Sequence, residues 1–241
     1  MQAISNCVTI QRWEIRVFQV EAVYTAPLQI FIFWYNLRCL MSKRIFDIAF
    51  SLTVLVIGAP IFLLCAAAVK LSSPGPVFYA HSRIGKEGIR FGCLKFRTMH
   101  SDADLKLQTL LASNPSLMLE WKTYYKLKAD PRVTPIGKWL RKTSLDELPQ
   151  FINVFLGQMS LVGPRPLTED EVVHYLKEKS AKILSVRPGL TSLWIVKGRN
   201  RFTLQERIDL EEFYIDHQSF WLDLRLILQT AIRMIFPKGA Y

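Results

Sequence analysis

The chain has 241 residues, of which 50% are Ala, Val, Ile, Leu, Met, Phe, Trp, Tyr or Cys and 21% are charged. This length can bury a core in one or two domains without disulfide or metal staples, and the apolar content excludes an intrinsically disordered chain. The 31 Lys and Arg exceed the 20 Asp and Glu, so the net charge is +11, which calls for an anionic partner: nucleic acid, an anionic lipid surface or a phosphorylated substrate.

At the N-terminus, Arg12, Glu14, Arg16 and Glu21 exclude a secretory signal peptide. The uncharged stretch Ala22–Leu37 contains Pro27 and is short for a membrane span. Met41-Ser42-Lys43-Arg44 reads as a natural chain start. Residues 1–42 are therefore expected to be an extension, either from a non-native start or interfacial. From Ile48 to Val69 no residue is charged. A straight helix of that length would reach about 33 Å at about 1.5 Å per residue, enough to cross a bilayer core. Gly58-Ala59-Pro60 sits in its middle, and Pro60 lacks a backbone donor, so a kink is expected there. Lys43 and Arg44 precede the run and Lys70 and Lys86 follow it. Positive charge at both ends favours a re-entrant helix with both ends on the cytoplasmic face over a kinked through-span.

Cys7, Cys39, Cys65 and Cys93 show no C-x-x-C spacing, and His81, His100, His174 and His217 are equally scattered. They read as reduced thiols facing the cytosol and as isolated imidazoles, with neither a disulfide frame nor a zinc site. Phe91–Met99 alternates as a strand, with Lys95 and Arg97 on one face and Leu94, Phe96 and Thr98 on the other. Those two cations form either a phosphate-binding pair or a solvated strand face. Residues 100–128 read as helix interrupted near Asn114-Pro115.

The most informative run is Arg141-Lys142-Thr143-Ser144-Leu145-Asp146-Glu147-Leu148-Pro149-Gln150-Phe151. Two readings compete. Ser144-x-x-Glu147 can be a capping box with no chemistry attached. Alternatively Asp146 is the N-cap, which puts Pro149 at N3, where a missing donor does no harm. In that register the helix dipole and Arg141 should keep Asp146 ionised, and the same place attracts phosphate. A carboxylate nucleophile there, with Glu147 holding Mg²⁺, suits phosphoryl transfer. Further on, Arg165 lies between Pro164 and Pro166, so a stiff backbone presents its guanidinium fork. Arg187-Pro188-Gly189 and the loop carrying Lys197, Gly198, Arg199 and Arg201 add cations. Trp221–Phe236 reads as a helix with Arg225, Gln229 and Arg233 on one ridge. It suits a helix in the headgroup plane or one that caps a soluble core.

The order of these motifs resembles the bacterial sugar transferases, the monotopic polyprenyl-phosphate phosphoglycosyl transferases. The likeness runs from about Lys43 to Tyr241. It rests on Lys43-Arg44-Ile45-Phe46-Asp47, the Pro-broken run, Gly75-Pro76-Val77-Phe78, Lys95–Met99, Asp130-Pro131-Arg132-Val133-Thr134, Leu145–Gln150, Gly163-Pro164-Arg165-Pro166 and Gly239-Ala240-Tyr241. It is similar above all to the catalytic part of undecaprenyl-phosphate galactose- or glucose-1-phosphate transferases, without the four-span N-terminal region of larger members. The resemblance implies a ping-pong reaction. Asp146 takes a phosphosugar from a UDP-sugar, releases UMP, and passes the phosphosugar to undecaprenyl phosphate, which starts exopolysaccharide, capsule, O-antigen or glycoprotein glycan synthesis. It implies Glu147 as the Mg²⁺ ligand, Lys95, Arg141 and Arg165 near the active site, and Ala59-Pro60 as the break of a re-entrant helix. Arg97 and Arg199 complete the expected phosphate-binding set on the strand and loop readings above. Where the family usually has Thr-Gly-x-Trp-Gln-Val-(Ser or Asn)-Gly-Arg, this chain has Thr191-Ser192-Leu193-Trp194-Ile195-Val196-Lys197-Gly198-Arg199, a departure that bears on sugar or nucleotide preference.

The expected fold is α+β and mainly helical: an extension (1–42), a re-entrant membrane helix (43–71) and a cytosolic catalytic domain (72–241) with interfacial amphipathic helices and a small β element. The expected location is the inner leaflet of the bacterial cytoplasmic membrane, with a homodimer left open. A nucleic-acid-binding role explains the charge but not the uncharged run, and no helix-turn-helix, zinc-finger or ribonucleoprotein signature is present. The remaining alternative is an inactive basic membrane scaffold of a polysaccharide assembly system.

Overall fold

The computed structural model describes residues 41–124, 127, 129–198 and 202–235. The expectations for residues 1–40 and for Arg199 fall outside them. Contacts divide the chain into two units, Met1–Ile45 and Phe46–Tyr241. In the first, residues 41–45 are described and are helical, at the start of α1 (Met41–Ile57). The second is α+β and mainly helical, with two small two-stranded sheets.

α1 is followed by α2 (Ala59–Ser72) across a 64° bend. The bend sits at the expected place. Pro60 falls in the first turn of α2, where its missing donor is tolerated. The ladder still crosses the break, with Gly58 N–H donating to Val54 O at 2.8 Å and Phe62 N–H to Gly58 O at 2.9 Å. No single described helix is long and apolar enough to cross a membrane; the bent pair passes that test by length and composition. It carries exposed Leu52, Val56, Ile57, Ile61, Leu63 and Leu64, a density of exposed apolar side chains that water does not favour.

β1 (Phe78–Ile84) and β2 (Arg90–Phe96) form an antiparallel hairpin that pairs Tyr79 with Lys95 and His81 with Cys93. The period-2 alternation of β2 serves two cores at once. Phe91 and Cys93 enter the main core with Val154, Met159 and Leu161, whereas Phe96 enters a second one with Val69 and Leu140. α3 (Ala103–Ser113) and α4 (Pro115–Tyr124) are separated at Asn114, whose side chain accepts from Ser116 N–H at 3.2 Å. α5 (Pro135–Thr143) is N-capped by Thr134, which accepts from Gly137 N–H at 2.9 Å. α6 (Gln150–Leu156) leads into β3 (Ser160–Val162), which pairs in parallel with β4 (Gly189–Thr191). The crossover between them holds the short α7 (Glu169–Glu171) and α8 (Ser180–Ile183).

The chain closes with α9 (Leu193–Gly198), α10 (Leu204–Asp216) and α11 (Phe220–Ile235). α10 opens on a full capping box, Thr203 with Glu206. Buried Tyr214 donates its hydroxyl to Asp223 of α11 at 2.7 Å, and buried Asp47 of α1 accepts from Leu161 N–H of β3 at 3.0 Å. α11 packs one face on the core and leaves another exposed. Leu226, with Leu222 and Ile227 beside it, packs on the main core, while Trp221, Leu224 and Leu228 form an exposed apolar stripe. Its basic ridge of Arg225, Gln229 and Arg233 faces Lys197 and Val196 of α9 across a cleft.

Candidate active site

Three elements meet at the carboxylate pair. β2 brings Lys95, the last turn of α5 brings Arg141, and a 3₁₀ turn, Leu145–Glu147, brings Asp146 and Glu147. Asn153 of α6 locks their relative placement. Its Oδ1 accepts from Leu94 N–H at 2.9 Å and its Nδ2 donates to Gly92 O at 2.8 Å, so a buried side chain occupies the edge of β2 as a neighbouring strand would. α5 lies close against the same segment: a Cβ on Gly137 would fall 2.0 Å from Thr98 O. That contact lets Arg141 Nε donate to Thr98 Oγ1 at 2.9 Å.

The local structure around the dyad differs from both sequence readings. Ser144 has φ 57°, makes no side-chain cap and ends α5 through its own N–H, so no capping box forms with Glu147. Asp146 is not an N-cap either. α6 begins at Gln150 with Pro149 in the capping position, and the dyad occupies the turn before it. The proline ends one turn type and starts another because it has no donor to lose.

Asp146 is buried, at 8% exposure. Its pKa is raised, first by burial and then by the neighbouring Glu147, against the pull of Lys95 and Arg141. Arg141 pulls toward the anion as expected, but no helix begins at Asp146 to add its dipole, and burial acts more strongly in the other direction. Glu147 is more open and pairs with Lys95 Nζ at 2.7 Å. Two adjacent carboxylates form an all-oxygen donor set that fits Mg²⁺, which takes one or two carboxylates with phosphate oxygens and water. No group of three or more His, Cys, Asp or Glu able to hold a metal occurs among the described residues, and the donor set does not suit zinc.

Arg97 does not join the site. It is buried and donates to the carbonyls of Pro74 and Ser73, each at 2.7 Å, and to Val69 O at 3.4 Å. Its charge thus closes the C-terminal end of α2, where the carbonyls lack helical partners and the dipole is negative. Gly75, at φ 124°, makes room for it, since a Cβ there would fall 2.0 Å from the guanidinium. Lys95 and Arg97 share a strand face by periodicity, but β2 ends at Phe96, and the next side chain follows the turn toward α2.

A second cation group borders the first. The Pro164–Leu167 segment runs along the end of β1, with Ile84 N–H donating to Leu167 O at 2.8 Å. This brings Arg165 near His81, whose pKa is lowered first by burial and Arg83 and then by Lys95 and Arg165. Gly163 and Gly189 touch where β3 meets β4; a Cβ on Gly189 would fall 2.1 Å from Gly163 N. That close approach fixes where the loop carrying Arg165 begins. The sequence reading missed Arg83, Trp194, Arg207 and Glu211. Trp194 stands in the Thr191–Arg199 run without having been given a role, the other three belong to no motif of characteristic spacing, and Trp194, Arg207 and Glu211 are brought in from α9 and α10.

Glu211 is buried, at 3% exposure, and its Oε1 accepts from Arg165 N–H at 3.1 Å. Burial pushes its pKa from the ordinary 4.5 up to about 7, although Arg165, Arg207 and Ser192 favour the anion. Its Oε2, Ser192 Oγ and Trp194 Nε1 make no well-formed hydrogen bond among the described residues. A carboxyl whose folded pKa is raised stabilises the fold fully below its unfolded value, and that contribution is lost as pH rises through the folded value. Glu211→Gln should therefore gain stability relative to wild type between pH 4.5 and 7, by about 3 kcal/mol at most. Thermal melts of both chains in detergent across that range test this; a difference that stays constant with pH would refute it.

Residues 38–237 match the family model described as bacterial sugar transferase. The chain is 44% identical over 202 residues to the exopolysaccharide production protein ExoY of Sinorhizobium fredii, covering 83% of this chain and 88% of that protein. It is 40% identical over 199 residues to the undecaprenyl-phosphate galactose phosphotransferase of Salmonella typhimurium, covering 83% of this chain and 41% of that one. It is also 37% identical over 209 residues to the UDP-glucose:undecaprenyl-phosphate glucose-1-phosphate transferase of Klebsiella pneumoniae, covering 84% and 42%. With a matched family model over residues 38–237 and a relative 44% identical over most of both chains, the chain belongs to the bacterial sugar transferase family.

Proposed function

We propose that this enzyme transfers a sugar 1-phosphate from a UDP-sugar to undecaprenyl phosphate, giving undecaprenyl diphosphate sugar and UMP, and so initiates synthesis of a bacterial surface or secreted glycan. The names of its relatives support the substrates. The observation that carries the reading is the turn at the dyad. Leu145 and Leu148 line an apolar groove with Ile57, Gly58, Ile61 and Phe62 of the bent helix pair, while Asp146 and Glu147 between them meet Lys95 and Arg141. One short turn thus borders both a lipid-compatible surface and a phosphate-compatible one.

In the first step an Asp146 carboxylate oxygen attacks the sugar-bearing phosphorus. The bond from that phosphorus to the bridging oxygen breaks, and UMP leaves with that oxygen. In the second step a phosphate oxygen of undecaprenyl phosphate attacks the same phosphorus, and Asp146 departs as a carboxylate. Lys95 and Arg141 hold phosphate oxygens beside Asp146. Glu147, with Asp146 beside it, would hold Mg²⁺, which when bound neutralises charge on the diphosphate. The raised pKa of Asp146 fits a nucleophile stripped of water, which is more reactive than a hydrated one.

Residues 43–71 act as a re-entrant membrane helix broken at Ala59-Pro60. The exposed leucines of α2 and the stripe on α11 face lipid, and residues 72–241 form the catalytic domain on the cytoplasmic side. Incubating the full chain with a panel of UDP-sugars labelled in the sugar should give a covalent protein adduct and UMP in equal amounts. EDTA should remove both and Mg²⁺ restore them. Absence of any adduct would sink the covalent reading and leave the scaffold alternative. For topology, single cysteines placed at residues 42 and 72 should both resist a membrane-impermeant thiol reagent added from outside the cell; labelling of either points to a through-span.

A further inference from the structure

The cations around the dyad are not all answered within the protein. Lys95 pairs with Glu147 and Arg83 with Glu171. Arg165 and Arg207, by contrast, form no ion pair with any described residue. Both guanidiniums lie over one ring. Arg207 is 4.9 Å and Arg165 5.8 Å from the centroid of Trp194, which is itself buried at 8% exposure. The ring's negative face holds each cation, but the two repel each other, and burial together with Arg165 lowers the pKa of Arg207. Glu211 stands behind them and fixes the Arg165 backbone. Glu211 and Glu171 attract Arg207 without forming an ion pair with it, and two half-buried guanidiniums held side by side on an aromatic platform keep donors for an external anion.

Location narrows which anion. The dyad turn leads into α6, whose Asn153 closes the free edge of β2, whereas the loop carrying Arg165 meets β1 on the other side of the hairpin, where Ile84 N–H donates to Leu167 O and Arg83 to Pro166 O. The arginine pair therefore lies beyond Lys95 as viewed from the nucleophile. A diphosphate whose sugar-bearing phosphorus sits at Asp146 directs its second phosphate away from that carboxylate, past Lys95. Trp194 is covered by guanidinium and buried, so it is not a stacking surface for the base.

We propose that Arg207 and Arg165 form a single cradle on Trp194 for the nucleotide-side phosphate, the one that leaves as UMP, with Arg207 a substrate-binding residue in its own right. This rests on the sugar-nucleotide reaction proposed above. The cradle holds the leaving group, and Lys95 and Arg141 serve the phosphorus that stays.

The test is equilibrium binding of UMP, uridine and a short-chain prenyl phosphate to the full chain in detergent. Arg207→Gln should weaken UMP binding about tenfold or more, the scale of a lost charge-assisted hydrogen bond. Uridine and prenyl phosphate should change less than about twofold. Arg207→Lys, which keeps the charge but not the planar fork, should lie between the two. Unchanged UMP affinity in folded Arg207→Gln overturns the cradle. So does a loss confined to prenyl phosphate, which would assign the pair to the lipid acceptor. If Arg207→Gln does not fold, Arg207→Lys decides: a several-fold loss of UMP affinity supports the cradle and wild-type affinity overturns it. A wild-type chain that neither binds UMP nor releases it from any UDP-sugar removes the proposed reaction itself, whereas normal release with unaltered Arg207→Gln binding removes only the cradle.

Discussion

Asp146→Asn, assayed in the full chain with a sugar-labelled UDP-sugar, is expected to form no covalent adduct and to lose UMP release by about a thousandfold or more. The substitution keeps the size and planarity of a side chain that is 8% exposed, so the turn can close around it. It removes the anionic oxygen that attacks phosphorus. Lys95 and Arg141 remain to bind the diphosphate, so substrate binding should survive while chemistry stops. Stability should move the other way. Folding disfavours the charged form of Asp146, through burial and the nearby Glu147, and a neutral isostere relieves that conflict. The thermal midpoint of Asp146→Asn should therefore equal or exceed that of wild type. Retained adduct formation would exclude Asp146 as the nucleophile, and an unfolded variant would show that the carboxylate holds the turn together.

Arg97→Met and Lys95→Met are expected to separate cleanly. Arg97 makes two buried hydrogen bonds of 2.7 Å to Pro74 and Ser73 carbonyls and a longer one to Val69. Methionine fills part of the volume but leaves those carbonyls without donors, at a cost of about 3 kcal/mol. The thermal midpoint of the full chain in detergent should fall by several degrees, and whatever activity is lost should follow the folded fraction. Lys95 forms one partly exposed ion pair with Glu147, worth about 1 kcal/mol or less to stability. Lys95→Met should melt near wild type yet lose adduct formation by about a hundredfold. Equal loss of activity per folded molecule in both variants would put Arg97 back among the substrate contacts.

These two residues also show how far the sequence can be read. A period of 2 places positions 95 and 97 on one strand face, and that is all a local pattern contains. Whether the second residue is still in the strand depends on where β1 stops pairing and on the carbonyls left bare at the end of α2, which lie 23 to 28 positions away in the chain. The dyad is a similar case. It stands out in the sequence as adjacent carboxylates after a pair of cations and before a proline. Its register was not legible, because a 3₁₀ turn and an N-cap place the same residues at nearly the same spacing. The choice between them came from the left-handed Ser144 that ends α5.

The amino-acid order alone determined the features that are local or compositional: the charge excess, the uncharged run, its break at Gly58-Ala59-Pro60, the interruption at Asn114-Pro115, and the string of motifs that marks the family. Each of these depends on backbone chemistry or hydropathy within a few residues. Tertiary structure decided what depends on burial and on long-range approach. It raised the pKa of Asp146 by desolvation, turned Arg97 into a helix cap, gave α11 a core face as well as an exposed stripe, and set Arg165 and Arg207 on one indole across a separation no sequence spacing encodes. Desolvation and the meeting of distant charges exist only once the chain has folded.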